Sequence, residues 1–260
     1  MTLLASGAVV TASALARRGP GGPAVRSARR RLFPGLSGYG DPGHVALTFD
    51  DGPDPASTPA LLDVLAERDV RATFFMLGSM AAAAPGLARE VAAAGHEIAI
   101  HGWGHRGLVF DRPRAVRHDL ARARDVVAGI TGQTPAWFRP PYGILTAGAR
   151  AGARELGLRP LLWTSCGWEW TGGATPASVL AALLGTLDGG GTVLLHDSDR
   201  QARPGSARAA RLALPALLAD CSSRGLTVGT VAEHGLIPRS QLLRRRGGGG
   251  RWPGVRPRGG

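Results

Sequence analysis

The chain has 260 residues, 44% of them hydrophobic, enough to bury a core unaided, while its two cysteines, Cys166 and Cys221, exclude a disulfide framework and a thiolate zinc cluster. The formal net charge of +12 suggests a nucleic-acid partner, yet residues 1–40 carry six Arg and no acid and residues 239–260 seven Arg and no acid, leaving 18 Arg against 19 acids between them. The excess charge therefore belongs to tails, read as solvated segments that can touch anionic polymers or a membrane surface, and no specific nucleic-acid function is expected of the near-neutral centre.

In chain order, residues 2–16 are uncharged and mostly small or apolar. They are too short for a comfortable membrane span and have the length of a signal-peptide core, with Ala14-Leu15-Ala16 as a cleavage pattern. The basic segment expected in front is missing; Arg17 and Arg18 come after. The reading is a secreted or cell-envelope protein, or a cytoplasmic one if this N-terminus is not a working signal. Residues 17–43, rich in Arg, Gly and Pro, read as a linker, and 239–260 as a disordered basic Gly/Arg tail. The folded domain is expected over 44–238.

Within it, strands and helices alternate. HVALTF (44–49) is an apolar strand; Pro59 to Arg68 a helix with Thr58 as N-cap; ATFFML (72–77) a strand. Leu87 to Ala94 is a helix stopped by Gly95, and HEIAIH (96–101) a strand. Pro113 to Ile130 is a long helix, with apolar residues at helical spacing. Strand WF (137–138), a helix near Ala147–Leu156, strand RPLLW (159–163) and a helix near Ala177–Leu187 follow. Strand TVLLH (192–196), helix Ala207–Arg224 and strand LTVG (226–229) close the series. Such alternation predicts a mostly parallel sheet covered by helices, and about seven units fit a barrel better than an open sheet.

Four polar clusters fall at strand ends: Asp50-Asp51-Gly52-Pro53, His101-Gly-Trp-Gly-His105, Arg139-Pro-Pro-Tyr142-Gly143, and His196-Asp197. Ligands of parallel α/β folds bind at the carboxyl ends of strands, so a barrel would gather all four into one pocket. Adjacent acids after an apolar strand either form an Asp-rich turn or, pointing opposite ways, do two different jobs. His101 and His105, with a carboxylate, form a ligand set that suits zinc and leaves a position open for water. The alternative is a pair of surface histidines. Arg139, stiffened by the two prolines, is a natural partner for a buried carboxylate. His196 is either a satisfied core residue or a general acid. His44, His96, His118 and His234 are read as structural or solvated, and both cysteines as small buried hydrophobes.

Together, TFDDGP (48–53), ATFF (72–75), GHEIAIH (95–101), HxxxH (101–105), RPPYG (139–143) and LLHD (194–197) resemble the polysaccharide deacetylase family, the NodB homology domain of the carbohydrate esterases, over roughly residues 44–235. The resemblance implies a single-domain distorted (β/α) barrel of seven or eight strands. It implies one divalent metal, usually Zn2+ with Co2+ or other ions as alternatives. Asp51, His101 and His105 would be its ligands, Asp50 the general base, His196 the general acid, and Arg139 the residue holding Asp50. Tyr142 would supply an oxyanion N–H, while Trp170 and Leu194 would line the acetyl pocket. The substrate would be an acetylated polysaccharide, peptidoglycan- or chitin-like, cleaved at its acetamide by a monomer. An O-acetyl esterase of xylan-like polymers and a carbohydrate-binding pseudoenzyme are the alternatives. One departure stands out: Cys166-Gly167-Trp168-Glu169-Trp170 has Glu169 where the family has the Asp that supports the catalytic His. The extra methylene predicts a retuned or reduced rate that Glu169→Asp would raise.

Overall fold

A computed structural model describes residue 28, residues 30–108 and residues 111–236. The signal-like segment 1–16 and the basic tail 239–260 lie outside the described residues. The elements are α1 (Pro34–Ser37), β1 (His44–Asp50), α2 (Thr58–Glu67), β2 (Thr73–Met76), α3 (Gly78–Ala83), α4 (Pro85–Ala93) and β3 (Glu97–Ile100), then α5 (Pro113–Thr131) and β4 (Trp137–Phe138). A 3-10 turn (Pro141–Gly143), α6 (Ala147–Glu155), β5 (Arg159–Pro160), β6 (Ser165–Cys166), α7 (Pro176–Leu184), β7 (Thr192–His196), α8 (Ser206–Ser223) and β8 (Thr227–Gly229) complete it.

All strand pairings are parallel, in the order β5-β4-β3-β2-β1-β7-β6. Strand β1 is the hub. Its Ala46–Asp50 stretch pairs with β7 on one edge, while the other edge is shared, β8 along 44–46 and β2 along 48–50. The sheet curls without closing. Its two outermost strands, β5 and β6, are joined by residues 161–164, and α1 seats itself in that gap through Leu162 N–H donating to the Leu36 carbonyl at 2.8 Å. The distorted barrel is thus present as a curled sheet with helices around it.

The elements follow from local chemistry. In α5, Pro113 opens the helix and Gly132 (φ 72°) ends it in the left-handed region that favours glycine. Its Val116, Leu120, Ala123 and Val127 are buried, a stripe at steps of four, three and four. Strand β1 is buried at six of seven positions, as a strand covered on both faces must be.

Four sequence expectations need correction. The folded body reaches back past His44: Tyr39 and Gly40 are buried, and a Cβ on Gly40 would lie 2.1 Å from the His234 carbonyl. The expected linker therefore stops short of α1. Strand 159–163 is only two residues long, because 161–164 cross the gap instead of pairing. Thr58 is the first helical residue and not the cap. Its hydroxyl donates to Asp197 Oδ2 at 2.7 Å, and Ser57 occupies the cap position with no side-chain cap bond. Helix α3 and strand β6 were not anticipated.

Candidate active site and metal centre

The register of the sheet assembles the site. Asp50, last in β1, sits directly opposite His196, last in β7. On the other side β2 and β3 carry the chain to His101, and the Ile100–Phe138 pairing sets Arg139 beside it. All four clusters therefore meet at one edge. They line a cavity of 330 Å³ with Tyr142, Gly143, Trp163, Trp168, Trp170, Leu194 and Gln201. Every residue singled out from the sequence is at this corner. Arg139 and Glu169 stand behind its walls.

Asp50 and Asp51 diverge. Asp50 Oδ1 accepts from Arg139 Nη1 at 2.7 Å. Arg139 is fully buried; it also donates to Thr48 Oγ1 at 2.8 Å and to the Leu162 carbonyl at 3.2 Å, and its guanidinium lies 4.0 Å from the centroid of the Phe75 ring. Four contacts fix one planar group, and through it the Asp50 carboxylate. Asp51, with φ 81°, turns the other way. Its Oδ1 lies 3.6 Å from His101 Nε2 and 3.5 Å from His105 Nε2. One ligand atom from each of Asp51, His101 and His105 lies within 4.8 Å of the others. His101 Nδ1 donates to the Arg139 carbonyl at 2.7 Å, which leaves Nε2 as a bare acceptor pointing at the cluster.

The electrostatics are those of a site built for a cation. Burial pushes the Asp51 carboxyl up to about 7, with Asp50 and Asp197 adding to the rise against the pull of His196. Burial pushes His101 and His105 down to about 3. Asp51 Oδ1 is buried with no hydrogen-bond partner among the described residues. Neutral imidazoles and an unsatisfied carboxylate oxygen are the donor set that a divalent ion of zinc type takes, so these residues fit the implied metal.

On the opposite wall, His196 Nδ1 donates to Glu169 Oε1 at 2.7 Å. The longer Glu169 side chain therefore reaches the His196 ring. Burial disfavours the charged His196 ring, but the bond and charge of Glu169, with Asp51 and Asp50 behind, outweigh it and hold the pKa up to about 9. Trp170 packs edge-on to His196, ring centroids 5.0 Å apart, and Trp168 packs on Trp170 at 5.0 Å.

Sequence reasoning missed Trp163, Trp168 and Gln201, and named Asp197 only as part of the His196-Asp197 cluster, without a role. Asp197 is buried and accepts from Gly52 N–H at 2.9 Å and Thr58 Oγ1 at 2.7 Å, clamping the turn that presents Asp51. A Cβ on Gly52 would lie 2.0 Å from Asp197 Oδ2, so that turn requires glycine. Trp168 had no signal in the sequence: it adopts φ 56°, unusual for a bulky side chain. Of five left-handed non-glycine residues among the described residues, Asp51, His105, Tyr142 and Trp168 line this cavity, a concentration of backbone strain typical of functional sites.

Comparison with known proteins agrees with the geometry. The family model described as polysaccharide deacetylase matches residues 37–161. A chitooligosaccharide deacetylase of Bradyrhizobium sp. (strain ANU 289) is 35% identical over 222 residues, 83% of this chain and 93% of that one. A peptidoglycan-N-acetylglucosamine deacetylase of Listeria monocytogenes is 36% identical over 156 residues, 59% of this chain but only 32% of that protein, so the chain spans about a third of that relative. Among solved structures, the Bc1960 peptidoglycan N-acetylglucosamine deacetylase superposes with a TM-score of 0.72 at 26% identity, covering 79% of this chain and 95% of that one. On the sequence match, the fold and the assembled corner, the chain belongs to the polysaccharide deacetylase family.

Proposed function

We propose that this protein hydrolyses the acetamide of N-acetylated sugar residues in a peptidoglycan- or chitin-like polysaccharide, with water as co-substrate and acetate and a free amine as products. The observation that carries the reading is the three-part corner: an Asp51–His101–His105 cluster within 4.8 Å, an Asp50–Arg139 pair at 2.7 Å on one side, and a His196–Glu169 pair at 2.7 Å on the other. Asp51, His101 and His105 would hold one divalent ion, zinc by donor type. Such an ion, when bound, polarises the acetyl carbonyl and makes water nucleophilic near neutral pH.

The chain's own residues do the rest. Asp50 accepts the proton of the attacking water, and the Arg139 guanidinium holds its carboxyl group in place. The backbone N–H of Tyr142 donates to the oxygen on which negative charge develops. An amine leaves poorly unless protonated, and His196 supplies that proton from Nε2 while Nδ1 stays engaged with Glu169. Trp170 and Leu194 enclose the acetyl methyl. Base and acid stand on opposite walls with different partners, Arg139 for Asp50 and Glu169 for His196.

A wall-polymer substrate fits a secreted or envelope-associated enzyme acting as a monomer. The test is acetate release from N-acetyl chito-oligomers, peptidoglycan strands and O-acetylated xylan, with chelation and zinc re-addition. Release from the N-acetyl substrates, lost on chelation and in Asp50→Asn, is expected. Release that survives chelation, or acetate from the xylan alone, overturns the proposal.

A further inference from the structure

A second cavity, of 350 Å³, lies on the far side of the Trp168–Trp170 segment. Its walls are residues 171–176, leading into α7, and residues 203–209, leading into α8. Arg203 and Arg208 both line it, both are exposed, and neither has an ion-pair partner among the described residues. The helix ends nearby are already satisfied. Thr175 and Ser178 form a reciprocal capping box on α7, and Asp199 accepts from Gly205 and Ala207 N–H at 2.6 Å each on α8. The positive charge of the cavity is therefore the two guanidiniums. Glu169 is the carboxylate that also lines it, and its charge is matched by the His196 ring.

The arginine loop is pinned in place. The Arg203 carbonyl accepts from Ser206 Oγ at 2.6 Å and Ser206 N–H at 3.1 Å. A Cβ on Gly172 would approach Arg203 Nε to 3.3 Å, so the side chain lies against that turn. The two cavities share their partition. Gln201 lines the active site and Arg203 the second cavity, just as Trp168 and Trp170 line the first while Glu169 lines the second. The second cavity therefore shares a wall with the active site.

We propose that the second cavity is a subsite for an anionic substituent, a carboxylate or phosphate on a sugar adjacent to the one being deacetylated. The inference rests on the deacetylase reading and narrows its substrate to an acidic N-acetylated glycan. Guanidinium forks match both oxyanion types, and the pairing selects by charge without touching the reacting atoms.

The experiment compares three length-matched oligomers of N-acetylated sugars: neutral, carboxylate-bearing on alternate sugars, and phosphate-bearing on alternate sugars. Wild type and Arg203→Ser/Arg208→Ser are assayed for KM and kcat, and each oligomer's affinity for both proteins is measured by calorimetry. We expect the double variant to raise KM and Kd for at least one anionic oligomer about tenfold, with kcat and the neutral oligomer's KM within twofold. Arg203→Glu should weaken that oligomer further. Which anionic oligomer responds identifies the substituent. Equal effects on all three, or none on either anionic oligomer, overturn the subsite. If wild type releases no acetate from any oligomer, the deacetylase reading fails, and the calorimetric comparison still decides the subsite.

Discussion

Glu169→Gln keeps the shape of the side chain behind His196 and removes its charge. What is lost is the negative charge on the acceptor of the 2.7 Å contact from His196 Nδ1 to a fully buried carboxylate, since the Gln amide oxygen can still accept. A hydrogen bond to a charged group contributes about 1.5–3 kcal/mol, and one pKa unit corresponds to about 1.4 kcal/mol, so the His196 pKa should fall by about one to two units. The starting value of about 9 includes help from Asp51 and Asp50, which a bound cation offsets, but the Glu169 contribution persists. In the proposed mechanism the protonated ring is the acid, so activity should be present below its pKa and lost above it. The basic limb of kcat against pH should therefore move down by about one to two units in Glu169→Gln, with the two enzymes close at pH 6 and about threefold to twenty-fivefold apart at pH 8.5. NMR titration of the His196 ring reads the same shift directly. Stability carries the same sign: the raised pKa stabilises the fold fully below the ordinary 6.5 and progressively less as pH rises through about 9. The denaturation curves of the two proteins should separate at low pH and converge above that window. A basic limb that stays put refutes the role given to the pair.

Asp51→Asn should abolish zinc-dependent gain in Tm while raising the Tm of the chelated protein at pH 8. Burial lifts the Asp51 pKa from 3.8 to about 7, so its charge costs up to about 4 kcal/mol above pH 7 and nothing below pH 3.8; a variant less stable than wild type in chelator would contradict this. Arg139→Met should cost about 3–5 kcal/mol in chemical denaturation by stranding Asp50, and adding Asp50→Asn should recover part of that loss. Simple additivity of the two would remove Arg139 as its partner. Gly167→Ala would put a Cβ 2.7 Å from Glu169 Oε2 and 2.8 Å from both Leu195 and Val179, so it should lower stability by about 1–3 kcal/mol and activity with it. Gly86→Ala, with nothing within 4 Å of its Cβ, is the control and should be neutral or slightly stabilising.

Much of the fold was legible because its signals are local. Pro113 and Gly132 bracket α5, and the apolar runs of β1, β2 and β7 announce strands buried on both faces. The proposed metal and base residues were legible because Asp50, Asp51 and His101 sit at strand ends, with His105 in the loop that follows, and parallel strands deliver their ends to one place. What escaped depends on distant partners. Leu161 and Leu162 look like strand residues, yet Leu161 N–H donates to the Phe138 carbonyl and Leu162 N–H to that of Leu36, since the curl leaves them spanning a gap. Gly40 looks like linker until the His234 carbonyl is found where its side chain would be. Whether Glu169 could replace a shorter acid depended on the path of residues 166–170, which no spacing rule supplies.

The same logic explains why this corner is unfavourable by itself. Asp51 Oδ1 has no donor, His105 Nδ1 has no partner, and the Glu169 Oε2 is likewise unsatisfied among the described residues. Each such group carries a desolvation cost that packing elsewhere must offset. The rest of the barrel is arranged to bear it: Arg139 anchors one acid, Asp197 clamps the turn beneath the other, and the β1–β7 register locks Asp50 against His196. A cation would relieve Asp51 and the two imidazoles but not Glu169, whose ion-pair partner among the described residues is His196. Stability and catalysis are therefore coupled at two separable points. Metal loading should govern the melting of the first, and the protonation of His196 that of the second.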